Sequence, residues 1–226
     1  MGSITALALS LPDGWHEVPP AADDAWAREL AAALVGDAVA IAPAPVENAA
    51  DGVPVDPVAS LAEDVARVAE VLRPARAEGA LGAVLVRQPE SGLADAMLAV
   101  TVHRGVSAEG YELELDAVVE DALASGAVFA QAFDMDDVPA GPARGAHLVA
   151  TESAEQSGPA VPAVDDGALL PVLRERVVVS VFPHGTSDMV EVLVLPDSMS
   201  TFADAVADAA ALCAGLRVST DEGRPA

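Results

Sequence analysis

The amino-acid sequence predicts an α+β fold in which a mostly antiparallel β-sheet is flanked by helices. Predicted strands occur in neighbouring pairs separated by short turn-forming segments, a pattern typical of β-hairpins. Helical patterns occur at the start, in the middle and at the end of the chain, without regular alternation with single strands. Because a parallel βαβ sheet requires that alternation, antiparallel pairing is favoured.

The first predicted elements are a short strand and a helix. The strand is expected over residues 4–10, ahead of a turn at residues 12–14 with the sequence Pro-Asp-Gly. Asp23 or Asp24 is a suitable N-cap for the helix, because a side-chain carboxylate there accepts hydrogen bonds from free backbone N–H groups. Gly36 is expected to end this helix.

An irregular connection and a second helix follow. Residues 43–57 contain four prolines and no apolar periodicity, so they predict an irregular segment. The helix after them is predicted to stop at Pro74 and Gly79. Its apolar residues recur at spacings of three and four and form one stripe: Val58, Leu61, Val65, Val68 and Leu72.

The middle of the chain predicts four strands and one helix. The helix is expected over residues 115–124, where apolar residues again recur at helical spacing. Residues 153–167 form a second irregular connection. The strands are expected over residues 83–87, 96–104, 128–133 and 143–151.

The last third contains the clearest pattern, a ribbon of two strands sealed by a helix. Alternating valines around residues 177–194 predict two paired strands joined by a turn at residues 184–188. Thr201 is expected to cap a final Ala-rich helix that packs its apolar side on the ribbon. We therefore expect one α+β domain over residues 1–218 and a flexible tail at residues 219–226.

The charge balance excludes several classes of function. The chain has 36 acidic and 11 basic residues, all eleven of them Arg, which gives a net charge of −25. A nucleic-acid-binding protein needs a cationic surface, and an anionic membrane repels this one. A P-loop nucleotide site needs a Lys that the chain lacks. We expect no nucleic acid, no membrane association and, if there is a protein partner, a cationic one.

The first residues, the lengths of the apolar runs and the single cysteine indicate the location of the protein and whether it forms a disulfide. The first residues have no basic segment followed by a cleavage site, so no signal peptide is expected. No apolar run reaches the roughly 18 residues of a membrane span. Cys213 is the single cysteine, which excludes an internal disulfide. A cytoplasmic location is therefore expected.

No catalytic, cofactor-binding or metal-ligating residue is predicted. The four His residues lack metal-ligand spacing, and Asp134, Asp136 and Asp137 lack the Gly and the closing carboxylate of a calcium loop. His184, Ser187 and Asp188 are adjacent in a predicted turn without a nucleophile elbow, so they indicate a turn. Cys213 falls on the apolar side of the last helix and is expected to be buried and inert.

One set of motifs resembles a known family. The segment Leu11-Pro12-Asp13-Gly14-Trp15 is similar to the opening motif of the Mog1/PsbP-like superfamily, which includes actinobacterial LpqN/LpqT-type proteins. The later order of elements is similar too, with a mid-chain helix and a strand pair followed by a closing helix. This resemblance implies an antiparallel sheet between helices and a role as a non-catalytic adaptor or assembly factor. The stretch at residues 43–76 has no counterpart in a minimal domain of that family.

Two functions from different classes are considered first. The preferred one is a non-enzymatic protein-interaction module, such as an adaptor, assembly or chaperone-like factor. Its candidate contact residues are Trp15, Trp26 and Tyr111, because aromatic side chains anchor interfaces. The alternative is a small-molecule binding or carrier domain with a pocket between the sheet and the helix at residues 58–72. A third possibility, a hydrolase or transferase, requires titratable groups from distant segments to meet in a cleft.

Overall fold

The computed structural model of the protein describes residues 2–41, 56–106, 108–135, 138–152 and 172–221. These ranges contain four α-helices and nine strands, which confirms the predicted α+β class. In chain order the elements are β1 (Ile4–Leu9), β2 (Trp15–Glu17), α1 (Asp24–Ile41), α2 (Pro57–Ala77), β3 (Leu81–Leu85), β4 (Ala96–His103), α3 (Ala108–Ala124), β5 (Phe129–Met135), β6 (Ala143–Glu152), β7 (Val172–Val181), β8 (Met189–Pro196), α4 (Ala205–Ala214) and β9 (Leu216–Thr220).

The chain divides into two compact units. The larger unit combines Met1–Ser10 with Val100–Ala226, and the smaller unit is Leu11–Ala99. The single domain expected over residues 1–218 stays a prediction. The predicted irregular segments at 43–57 and 153–167 lie outside the described residues, apart from Asp56 and Pro57, which begin α2.

The smaller unit is built from α1, α2 and the strands β2 and β3. β2 pairs antiparallel with β3, with Trp15 opposite Leu85. The two helices pack against each other, and α2 also packs on β3. Asp56 caps α2, because its carboxylate accepts hydrogen bonds from the backbone N–H groups of Val58 and Ala59. The shared core is aliphatic: Val18, Ala27, Ala31, Val35, Leu61, Ala62, Val65, Ala69, Leu72, Val84, Val86 and Ala94.

Both helices of this unit pass through a residue predicted to stop them, although α2 does end just before Gly79, its second predicted stop. α1 continues through Gly36 to Ile41, and α2 continues through Pro74 to Ala77. A helical Gly costs only about 1 kcal/mol relative to Ala, and burial of Val35 beside it offsets that cost. Pro74 cannot donate the helical hydrogen bond to the carbonyl of Glu70, and burial of Leu72 in the same turn offsets this loss.

The larger unit contains an antiparallel sheet in the order β8-β7-β6-β5. The end of β4, from Val100 onward, belongs to this unit and lies beside β8. Because side chains alternate between the two faces of a strand, the register assigns each residue to a face. We call the face that carries Val177, Val179 and Val181 the valine face. We call the opposite face, which carries Arg144 and Ser180, the α3 face, since Asp116 of α3 contacts Arg144.

The valine ribbon has the predicted form. β7 and β8 pair antiparallel, and α4 packs against both strands. The six valines that face each other across the pair are fully buried: Val177, Val179, Val181, Val190, Val192 and Val194. At roughly 1.5–3 kcal/mol for each fully buried valine, this ribbon is a large part of the hydrophobic stabilisation of the unit.

Two details at the end of the chain differ from prediction. The N-cap of α4 is Asp204, whose carboxylate accepts a hydrogen bond from Ala207 N at 3.0 Å, and not Thr201. β9 follows α4 directly and pairs with β1, so Ser219 and Thr220 lie in a strand and not in the predicted tail. Pairing with β1 satisfies their backbone groups, which an isolated terminus would leave to water.

Candidate interaction site

The outer edge of β5 is an open strand edge. β5 is the last strand in the order of its sheet and pairs with β6 along its whole length, from Phe129 opposite Val149 to Met135 opposite Ala143. No strand in the described part of the chain pairs with its other edge. Alternate residues of β5 therefore direct their backbone N–H and C=O groups outward, in the geometry that another strand needs.

This edge lacks the features that usually prevent strand addition. Natural edge strands are protected by Pro, by Lys or by an unpaired inward-facing charge. The sequence of β5 contains neither Pro nor a basic residue, and its single charged residue is Asp134. The charge of Asp134 is balanced by Arg144 on β6, whose Nε lies 3.3 Å from an Asp134 carboxylate oxygen. The sequence of β5 itself therefore contains neither Pro nor a basic residue to hinder pairing with another strand.

Exposed apolar side chains lie at one end of this edge. Val128 and Phe129 keep 62% and 38% of their surface exposed where β5 begins. Val172 and Leu173, at the start of β7, are exposed at the same end of the sheet, because Leu173 pairs with Thr151 on β6. Exposed apolar groups of this size are typical of protein interaction surfaces.

A row of polar residues crosses the α3 face in register. Asp134 pairs with Arg144, Arg144 with Ser180, and Ser180 with Glu191 on successive strands. The Nε2 atom of His103 lies 3.7 Å from a carboxylate oxygen of Glu191 and extends the row to β4. Directly opposite residues share a face. The row therefore places two carboxylates, a guanidinium, a hydroxyl and an imidazole side by side.

The row does not assemble a nucleophile with a base. Ser180 is fully buried and its Oγ has no hydrogen-bond partner in the described part of the chain. Glu191 separates it from His103, and two strand spacings amount to about 10 Å. A serine needs a base within hydrogen-bond distance to act as a nucleophile. The row therefore fixes charges along the sheet without bringing Ser180 and His103 into contact.

A second polar pair lies on the valine face. His147 Nε2 and Glu175 Oε1 are 2.7 Å apart, and Glu175 is only 7% exposed. The ring of Phe129 meets the imidazole edge-on, with 5.1 Å between ring centroids. Glu175 Oε2 has no hydrogen-bond partner within the described residues. This pair ties β6 to β7, because charge-assisted hydrogen bonds are stronger than neutral ones.

The histidines do not converge on one cleft. His103 accompanies the row on the α3 face, His147 lies on the valine face, and His184 is exposed in a turn. Among the described residues, these three histidines are therefore not brought together in one cleft, and the hydrolase hypothesis stays untested. No group of three or more His, Cys, Asp or Glu side chains suited to hold a metal ion occurs within the described ranges. Asp136 and Asp137 of the acidic cluster lie outside them.

Asp188 is a buried carboxylate with several hydrogen-bond donors in the larger unit. It is 4% exposed, and its oxygens accept hydrogen bonds from Ile4 N at 2.9 Å, from Gly105 N at 3.2 Å and from the Arg104 guanidinium. Ser187 and His184 remain exposed beside it. The turn predicted at 184–188 therefore positions Asp188 to hold the N-terminal strand, and not to activate Ser187.

The three aromatic residues predicted to contact a partner lie in different environments. Trp15 is 9% exposed within β2, and Trp26 packs against the core of the smaller unit. Tyr111 is half-buried on α3 and meets Phe182 edge-on at 5.8 Å. The structure does not bring the two tryptophans and the tyrosine together within one unit. Their role as contact residues stays a prediction.

The sheet and α2 pack closely at one point of the interface where the alternative function places a ligand pocket. A Cβ atom added at Gly82 of β3 would lie 2.9 Å from Leu72 Cδ1 and 3.2 Å from Arg76 Cδ, both on α2. At these distances an added side chain at Gly82 would overlap the two side chains of α2. The Gly82 position therefore serves close helix–strand contact and not a cavity at this point of the interface.

The buried thiol of Cys213 is predicted to be unreactive in the folded protein. Cys213 is fully buried on α4, and burial raises its pKa to about 12. At about pH 8 only roughly one thiol in ten thousand is then ionised. We expect Ellman's reagent to label the native chain far more slowly than the same chain in concentrated guanidinium chloride. Equal rates in both conditions would contradict the buried position.

Comparison with families and with curated proteins found no match for this chain. No family model matches the chain, and no curated protein matches it. No helix in the described ranges is long and apolar enough to cross a membrane.

The open β5 edge is a site that sequence reasoning missed. The absence of Pro and basic residues from residues 129–135 was visible in the sequence, but only strand order shows that this strand is at an edge.

Proposed function

We propose that this protein is a non-enzymatic, cytoplasmic protein-interaction module that binds an extended segment of a partner protein by strand addition along the outer edge of β5. The observation that carries the proposal is a seven-residue edge strand, unpaired on its outer side among the described residues, whose sequence contains neither Pro nor a basic residue. Main-chain hydrogen bonds to an added strand provide affinity, and alternate side chains provide specificity. Such a module acts as an adaptor, assembly or chaperone-like factor.

The surroundings of the edge support this proposal. Val128 and Phe129 supply apolar surface next to it, which strand addition would remove from water at about 25 cal/mol per Å². Arg144 is paired with Asp134, so the one charge on β5 is not isolated. Membership of the Mog1/PsbP-like superfamily is part of the same proposal, and the α+β fold with an antiparallel sheet agrees with it.

A pair of proline variants tests the role of the edge. Gln131 and Ala132 are neighbours, so the backbone N–H of one points outward and that of the other points toward β6. Proline at the outward position leaves the ladder with β6 intact and blocks strand addition. Proline at the inward position breaks the ladder. We expect one of the two variants, Gln131→Pro or Ala132→Pro, to unfold near the wild-type temperature. The variant that does so carries its proline at the outward position, and we call it the edge-blocked variant.

The measurement is quantitative affinity capture with the full chain at low and at physiological salt. We expect a stoichiometric partner to be retained by the wild type and by Glu63→Gln, an exposed control change in the smaller unit. The edge-blocked variant should lose at least nine tenths of that partner, because the proline removes an N–H from the middle of the outer ladder and its ring obstructs an added strand. Equal retention by the edge-blocked variant refutes the β5 edge, and absence of any partner at low salt refutes the interaction module.

A further inference from the structure

The two faces beside the β5 edge differ in chemistry. On the valine face β5 presents Phe129, Gln131, Phe133 and Met135, of which three are apolar. On the α3 face it presents two alanines and Asp134. An added strand would therefore meet apolar groups on one side and a small, acidic surface on the other.

Helix α3 increases the negative charge on that second side. It packs against β5 and β6, and its 17 residues include six carboxylates and no basic residue. Asp116, Glu120 and Asp121 are exposed. Arg144 is the one cation that contacts this group among the residues the structure describes, and it is shared between Asp134 and Asp116. The region remains anionic, so it attracts a cationic partner and repels an acidic one.

Building on the proposed strand addition, we propose that the partner segment is an extended strand in which basic and apolar residues alternate. Its apolar side chains lie beside Phe129 and Phe133 on the valine face. Its Lys or Arg side chains extend over the alanines of β5 toward the carboxylates of α3. The two-residue period of a strand makes such alternation the only pattern that matches both faces at once.

A second copy of this chain fits the edge poorly. Two chains of net charge −25 repel each other, and β5 has no basic residue to offer to a neighbouring α3. Pairing of β5 with another β5 would bring two copies of the acidic helix together. The same electrostatics excludes acidic or neutral segments as preferred partners.

The test uses fluorescently labelled seven-residue peptides, matched in length to β5, and the full-length protein. One peptide alternates Arg and Val and carries N-methyl groups on one edge, which prevents it from pairing with itself. A second has the same composition with Arg and Val in separate blocks. A third has the alternating sequence with N-methyl groups on both edges. Two more alternate Ser with Val and Glu with Val. Fluorescence anisotropy gives each dissociation constant at physiological salt.

We expect the alternating Arg–Val peptide to bind at least tenfold more tightly than each of the other four. The edge-blocked proline variant should reduce its affinity to the level of the doubly methylated peptide. If the Ser–Val or Glu–Val peptide binds as tightly as Arg–Val and is lost on edge blocking, the basic partner is refuted while strand addition stands. If the block or doubly methylated peptide binds equally well, the attraction is unspecific and the alternating strand is refuted.

A matched pair of charge variants locates the attraction. Glu120→Gln with Asp121→Asn removes two charges from α3, and Glu29→Gln with Glu63→Gln removes two exposed charges from the smaller unit. Both doubles change the net charge equally. We expect the α3 double to weaken Arg–Val binding about threefold to tenfold and the control double less than twofold. Equal effects of the two doubles refute the role of α3.

Discussion

Replacement of Asp188 by Ala is expected to lower the free energy of unfolding by about 3 kcal/mol. The carboxylate is 4% exposed and holds Ile4 N, Gly105 N and the Arg104 guanidinium. Removing one partner of a buried charged group leaves the others unsatisfied, which costs about 3–5 kcal/mol in known cases. The Arg104 side chain is 59% exposed and regains water, so the lower end of that range applies. Chemical denaturation of the full chain at neutral pH measures the loss.

The matched control is Asp197→Ala. Asp197 and Arg174 form an ion pair at 3.7 Å with both side chains about half exposed. Exposed pairs contribute about 0.2–1 kcal/mol, so this change should have little effect. Amide hydrogen exchange gives a local readout, since Ile4 and Gly105 should lose protection only in the Asp188 variant. A loss below about 0.5 kcal/mol for Asp188→Ala would contradict the anchoring role.

The contribution of Asp188 should also depend on pH in a defined direction. Burial alone would raise the pKa of Asp188, but hydrogen bonds from Ile4, Arg104 and Gly105 and the charge of Arg104 outweigh it and hold the pKa below its usual value. A carboxylate with a lowered pKa stabilises the fold fully above its unfolded pKa of about 4. The difference in unfolding free energy between wild type and Asp188→Asn should therefore be constant near neutral pH and shrink as the pH falls below about 4.

Replacement of Gly141 by Ala should destabilise the larger unit by about 3 kcal/mol or more. Gly141 has a φ of +155°, where side chains are strained by about 1–3 kcal/mol. Its added Cβ would overlap the carbonyl oxygen of Phe182 and lie 3.0 Å from Pro183 Cα. Backbone atoms cannot move aside cheaply, so overpacking adds a further 1–3 kcal/mol or so. Thermal unfolding followed by circular dichroism measures the effect.

Gly126→Ala separates strain from steric overlap. Gly126 also has a positive φ, +91°, but nothing lies within 4 Å of an added Cβ. Only the backbone penalty of about 1–2 kcal/mol should remain there. If both variants lose the same stability, the contact between Gly141 and the Phe182 backbone does not limit the substitution.

Local patterns in the sequence were sufficient to predict most elements of the larger unit. The alternating valines predicted β7 and β8, because a two-residue period with buried residues on one side fits only a strand. The short elements were harder. β2 has three residues, and β9 begins two residues after α4 ends, so neither has enough periodicity to be recognised.

The helix ends show why local rules fail. Gly36 and Pro74 are helix-breaking residues in isolation, yet α1 and α2 pass through them. Tertiary burial of Val35 and Leu72 outweighs a local penalty of about 1–3 kcal/mol. Thr201 was the predicted cap of α4, but Phe202 lies in the core ahead of the helix, and Asp204 caps it.

The site depends on strand order, which no local pattern contains. A strand was predicted over residues 128–133, and the lack of Pro and basic residues at 129–135 was visible in the sequence. Whether that strand lies at an edge or in the centre depends on which strands pair with it across the chain. The polar row has the same origin, because Asp134, Arg144 and Ser180 become neighbours only through register.

The sequence by itself therefore determined the α+β class, the acidic character and the valine ribbon, since composition and short periods decide these locally. The tertiary structure alone decided that β5 is the last strand of its sheet, that α3 packs against it with Asp116 on Arg144, and that Asp188 holds the first strand. Each of these joins segments that are distant in sequence. Their pairing is selected by the total burial and hydrogen bonding of the folded chain, and not by any one segment.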